Sequence, residues 1–165
     1  MSVTPIPEGC NSVNVYLIAK DARAAMDFYC KAFGGTQLPC MEAPDGSVMH
    51  GEVRIGNSTI MLSQENPQWN MVSAETLGNS PASLHIYTED CDAMFQQAVD
   101  AGCTVIQPVT DMFWGDRYGK VVDPFGFQWG IATHTEDVSP EELQKRGEAW
   151  FAEMAQAGDC APQEG

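Results

Sequence analysis

Apolar and polar positions alternate through SVNVYLIA, Ser12 to Ala19, which predicts a half-buried strand. The period then changes. Ala22, Ala25, Met26, Tyr29 and Phe33 recur at three- and four-residue steps, predicting a helix that Asp21 caps and Gly34-Gly35 ends. A short strand near Thr36 to Met41 follows, and Pro44-Asp45-Gly46 is a hairpin-type turn. Strands at Val48 to Ile55 and Ser58 to Ser63, joined by Gly56-Asn57, complete the order β-α-β-β-β.

The same order then recurs. Gln64 to Ala82 has no clear periodicity and reads as a linker with room for a short turn of helix. Ser83 to Thr88 is a strand, and Asp90 opens a helix to Ala101 with Cys91, Met94, Phe95, Ala98 and Val99 on one stripe. A short strand at Thr104 to Gln107, a loop PVTDMFWGDRYG, and strands at Lys120 to Asp123 and Phe127 to Thr133 around the turn Asp123-Pro124-Phe125-Gly126 complete it. Asp21 and Asp90, and likewise Gly56 and Gly126, stand about 70 residues apart, a period that signifies two half-domains rather than a solenoid. The expected organisation is one domain over 1–137, with module 1 at about 12–65, a linker at 66–82 and module 2 at about 83–134. Residues 138–165 form a C-terminal helix and tail. Ser139-Pro140-Glu141-Glu142 is a capping box with proline at the first helical position. Leu143, Trp150, Phe151 and Met154 share one face before Gly158, so this helix must dock on the body or on a partner, and Asp159 to Gly165 is expected to fray. The fold class is α+β, two βαβββ modules plus an amphipathic helix.

Charge narrows the function. Across 165 residues, 23 acidic against 8 basic side chains give a net charge of −15, which repels phosphate backbones and anionic lipid. Neither a nucleic-acid nor a membrane partner is expected. No apolar run approaches the ~18 residues of a membrane span, and the N-terminus lacks the regions of a signal peptide. The six cysteines form no CxxC pair, so reduced thiols in a cytoplasmic protein are expected.

Three segments, YLIAKDARAAMDFYCKAFGG, MHGEVRIGNSTIMLSQE and FWGDRYGKVVDPFGFQWGIATHTED, resemble the vicinal oxygen chelate superfamily of glyoxalases, bleomycin-resistance proteins and extradiol dioxygenases, and within it the PhnB-like branch. The resemblance runs from Val13 to Asp137. It implies a cupped mixed sheet around a ligand cavity and a homodimer, with modules sometimes paired across subunits. Catalytic members of that superfamily hold a divalent ion through His, Glu or Gln on four strands, where it polarises paired oxygens. Aligned on Asp21, Asp90 and the final strands, those positions fall on Asn14, Met61, Ser83 and Gly130, a poor ligand set. No metal cofactor is therefore expected. The alternative is a metal-dependent lyase, isomerase or dioxygenase with a shifted set drawn from His50, His85 and Glu52. A metal-free enzyme with His85 as its general base is a third reading. Close relatives carry a histidine after DPFG where this chain has Phe127.

The leading reading is a small-molecule binder taking an aromatic or anionic ligand. His85 shares a strand face with Ser83, and Tyr16 shares one with Asn14, so both are expected to line the cavity. Trp114 in FWGDRYG offers a stacking surface, and Arg117 offers a bidentate grip on an anion, against the alternative that Arg117 serves a structural contact with Asp116. Trp129, next to Gly130, is expected to face the opposite way, under a helix.

Overall fold

The computed structural model describes residues 4–7 and 10–156; the expected stop at Gly158 and frayed tail at Asp159 to Gly165 lie outside the described residues. The first module comprises β1 (Val15–Ala19), α1 (Ala22–Phe33), two-residue strands β2 (Thr36–Gln37) and β3 (Met41–Glu42), β4 (Val48–Ile55) and β5 (Ser58–Gln64). A 3-10 turn (Pro67–Trp69) and α2 (Ala74–Leu77) occupy the linker. The second module comprises β6 (Ser83–Tyr87), α3 (Cys91–Ala101), β7 (Thr104–Asp111), β8 (Asp116–Val122) and β9 (Gln128–His134), and α4 (Pro140–Gln156) follows.

The two helix starts show why the halves read alike. Asp21 and Asp90 each sit in extended conformation at an N-cap, and each accepts a backbone amide three residues on, at 2.9 Å. Sheet 1 runs β1-β5-β4-β2 with β3 also on β4, and sheet 2 runs β6-β9-β8-β7. In both, the first strand pairs in parallel with the last.

Helices α1 and α3 lie side by side, Gln97 donating to the Lys31 carbonyl at 2.7 Å, each against its own sheet. The helix-covered sheet faces and the helices make a single core. Within it Trp129, 1% exposed, packs on Phe33 at 4.5 Å and Tyr29 at 5.2 Å between ring centroids, under a helix as its alternation with Gly130 predicts. Buried Asp123 ties the halves together. Its Oδ1 accepts the amides of Phe125 and Phe127, and its Oδ2 accepts Trp129 Nε1 at 2.8 Å and the Tyr29 hydroxyl of α1 at 2.9 Å. Burial pushes this carboxyl's pKa up against those four donors, and it pushes the neighbouring Cys103 thiol up to about 12, leaving that cysteine an inert apolar side chain.

Sheet 2 departs from expectation. The stretch from Pro108 to Gly119, read as a loop, is a β-hairpin: β7 continues to Asp111 and β8 begins at Asp116. Proline cannot donate to a ladder, but β7 is an edge strand paired only with β8, and the register shifts between Val105 and Gln107 and between Gln107 and Thr110 absorb it. The C-terminal helix docks on this hairpin in cis. Trp150 meets Phe113 at 5.6 Å, and Arg146 grips Glu136 with bonds of 2.7 and 2.8 Å. Among the described residues Cys10, Cys30, Cys40, Cys91 and Cys103 are free thiols, and no helix is long and apolar enough to cross a membrane.

Removing the Tyr29 hydroxyl withdraws one donor from a buried carboxyl. Tyr29→Phe is expected to lower unfolding free energy by about 2 kcal/mol, read by urea denaturation, without loss of the helical circular-dichroism signal.

Candidate functional site

Strand β6 sends Leu84 and Ile86 toward the helices and Ser83, His85 and Tyr87 to the opposite, open face of sheet 2. His85 is paired across the ladder with Gly130. A Cβ at Gly130 would stand 2.7 Å from Tyr118 Cε2 and 2.9 Å from His85 Nδ1, so the space given up by glycine is filled by those two rings. They stack at 12° and 5.6 Å, with Tyr87 4.7 Å from His85 and Trp114 5.8 Å from Tyr118. The result is a continuous aromatic strip from Trp114 through Tyr118 and His85 to Tyr87.

The strip is anchored on Asp116, which is 3% exposed. Tyr87 Oη and Trp114 Nε1 donate to its Oδ2 at 2.9 and 3.0 Å, and His134 Nδ1 meets its Oδ1 at 2.8 Å. Burial pushes the Asp116 carboxyl up, and the bonds from His134, Tyr87 and Trp114 outweigh it and hold its pKa below the usual range. His134 meets a second carboxylate, Asp137, through Nε2 at 3.0 Å. With carboxylates on both ring nitrogens, Asp116 first, its pKa is raised above the ordinary 6.5. By contrast, His85 makes no hydrogen bond among the described residues, and its imidazole is exposed on the strip.

His85 and Tyr87 also border a cavity of about 640 Å³ along the unpaired edge of β6. Its walls are Val15, Phe33 and Ile60 from the first module and Leu84, Ile86, Met94 and Trp129 from the second. An apolar cleft with a few polar groups at one side suits a small, largely apolar ligand.

The other expected site residues divide. His85 and Trp114 are brought onto one strip. Tyr16 is not among them: it lies on the open face of sheet 1, its hydroxyl 3.3 Å from His50 Nδ1, while His50 Nε2 meets Glu52 at 3.1 Å. Arg117 is the second correction. It alternates with Asp116 and Tyr118, so it points to the α3 side, where Asp92 takes Nε and Nη2 at 2.6 and 2.8 Å and Asp111 takes Nη1 at 3.1 Å. Those carboxylates raise its pKa further and occupy the fork expected to hold an anion. Its structural partners are Asp92 and Asp111 rather than Asp116. Tyr87 and Tyr118 were missed, although each stands two residues from a strip or anchor residue, His85 and Asp116, and shares its strand face.

The four expected ligand positions do not face one another across the ladders. The ladder sets Tyr16 rather than Asn14 against Met61, and His85 rather than Ser83 against Gly130. Asn14 is tied to the Asn11 backbone through both side-chain polar atoms. In the observed register, a thioether and a glycine leave a hard divalent ion two positions without a donor. The shifted set is not gathered either, because His50 and Glu52 sit on sheet 1 and His85 on sheet 2. Among the described residues no three His, Cys, Asp or Glu side chains stand close enough to hold a metal ion.

Residues 11–131 match the family model described as Glyoxalase/Bleomycin resistance protein/Dioxygenase superfamily. An uncharacterized protein of Mycobacterium bovis is 37% identical over 151 residues, covering 90% of this chain and 95% of the relative. Among solved structures, TioX from Micromonospora sp. ML1 is 25% identical with a TM-score of 0.61, covering 76% of this chain and 99% of that one. The PhnB protein of Bacillus cereus matches in fold, at 15% identity and a TM-score of 0.58, over 74% of this chain and 99% of that one.

Two outcomes follow from the strip. Gly130→Ala is expected to push Tyr118 and His85 apart at a cost of about 1 kcal/mol, visible as altered His85 ring-proton shifts. The Asp116–His134 contact is fully stabilising below about pH 6.5, where unfolded histidine is already protonated, and its contribution disappears as pH rises through the raised folded value. The melting-temperature gap between the wild type and His134→Gln should therefore be widest in mild acid and shrink in alkali, as a pH series of thermal melts would record.

Proposed function

Since the chain belongs to the Glyoxalase/Bleomycin resistance protein/Dioxygenase superfamily, we propose that it is a binding protein for a small planar molecule, held at the β6 edge without the standard metal. The observation that carries this reading is His85: an imidazole with no hydrogen-bond partner among the described residues, stacked on Tyr118 and bordering the largest of the described cavities. In the bound state the ligand's apolar body lies against Leu84, Ile86 and Trp129. Its planar group meets His85 and Tyr87, the two strip residues that border the cavity, and His85 supplies the hydrogen bond that fixes orientation. The ligand needs no anionic group, because Arg117 is already held by Asp92 and Asp111. A metal-free enzyme is the second reading, and the same uncommitted imidazole favours it: a nitrogen that accepts a ligand's hydrogen bond is placed to take its proton.

The reading includes a homodimer in a reducing, cytoplasmic compartment. Among the described residues β1 and β6 each pair on one side only, leaving two clean sheet edges, while Val13 and Tyr87 stay largely exposed in the single chain.

Untagged native protein is expected to contain well under one equivalent of Zn, Ni, Mn or Fe by elemental mass spectrometry, and planar aromatic compounds are expected to raise its melting temperature. His85→Ala should weaken any compound so found about fivefold, the size of one ring contact. Stoichiometric metal that survives dialysis would overturn the metal-free reading. Light scattering after size exclusion should give twice the chain mass; a monomer would remove the dimer.

A further inference from the structure

A second pocket, of about 430 Å³, lies on the first module and shares no lining residue with the β6 cavity. Its walls include Tyr16, Met49, Trp69 and Met71, and its acidic residues are Asp45 and Glu65. None of its lining residues is Lys, Arg or His. Trp69 is 64% exposed, an unusual position for an indole, yet it is held on a tight turn. Asn66 accepts the Gln68 amide through its side chain and the Trp69 amide through its carbonyl, and Asn70 closes the turn in left-handed conformation. The Tyr16 ring is fixed by the chain through His50 to Glu52.

Two features point to a ligand. Ser63 also lines the pocket; it is 1% exposed, and its Oγ is a buried polar atom without a partner. Leaving such a group unmatched is costly, and a ligand hydroxyl or carbonyl would satisfy it. The acidic side chains are also committed to their charge. Bonds from Ser47 hold Asp45 below the usual carboxylate range, and bonds from Ser73 and then Thr76 do the same for Glu65, with Lys20 adding to the effect on Glu65 from outside the lining.

We propose that this pocket binds a small organic ammonium ion bearing a hydroxyl or carbonyl group, the cation against Trp69 and Tyr16 beside Asp45 and Glu65, and the oxygen on Ser63. Aromatic faces and fixed carboxylates attract a cation together, and the net charge of −15 works in the same direction. The site is independent of the ligand proposed for β6.

The test uses the full chain and choline as probe, with 3,3-dimethylbutan-1-ol as its neutral isostere and tetramethylammonium as the cation without a hydroxyl. Binding is followed by NMR at the Trp69 indole and the Met49 and Met71 methyl groups. Choline is expected to give saturable shifts there, with the alcohol at least about tenfold weaker. Trp69→Ala should weaken choline roughly fivefold, as an exposed cation–π contact would. Ser63→Ala should weaken choline and leave tetramethylammonium unchanged, without lowering the melting temperature. Equal binding of the alcohol would overturn the proposal. So would choline shifts that never saturate and survive Trp69→Ala, since those report only the general attraction of an acidic surface.

Discussion

One carboxylate sets the positions on which the rest of the molecule depends. Asp123 closes the turn between β8 and β9 by accepting two backbone amides, then spends its other oxygen on Trp129 and on Tyr29 of the opposite module. Trp129 is thereby fixed facing α1. Strand alternation then turns Gly130 to the open face, and the missing side chain there admits the His85–Tyr118 stack. A buried acid thus determines the geometry of an aromatic surface on the far side of the sheet. Such a carboxyl is tolerated because four donors meet it; with fewer, its burial would be a net cost.

The two halves keep one backbone plan and have diverged in chemistry. Both place the first strand in parallel register with the last, and both cap the helix with aspartate. On the open face, however, the second half carries stacked rings over Asp116, while the first carries the polar chain Tyr16–His50–Glu52 with Met61 between its flanking strands. A duplicated scaffold holds these differences cheaply, since open-face side chains are not constrained by the shared core.

Much of this was legible in the sequence, for physical reasons. The caps at Asp21 and Asp90, the turns at Gly46 and Gly126 and the inward face of Trp129 all rest on short-range rules, and these the structure keeps. The failures lie where tertiary context decides. Pro108 signals a strand end in isolation, but at a sheet edge it does not interrupt the ladder. For Arg117 only the neighbouring Asp116 was readable as a partner, because Asp92 and Asp111 lie on other elements. The ladder partners of Met61 and Gly130, Tyr16 and His85, stand two residues from Asn14 and Ser83, a displacement that leaves every residue on its own face and so carries no signal in hydrophobic pattern. Tyr16 and His85 were expected together because a repeat reveals that two sites are equivalent, not that they are adjacent.

The edges of the two sheets are unequal. The β7 edge carries Pro108 and two register shifts, and the far edge of sheet 1 ends in strands only two residues long. Neither can template another strand. β1 and β6 remain regular and unpaired on one side. For assembly arithmetic the described residues give each molecule a valence of two. A two-fold arrangement joining β1 of one copy to β6 of the other would use up every regular edge and close, whereas a join without that symmetry would leave one edge free at each end and propagate as a fibre.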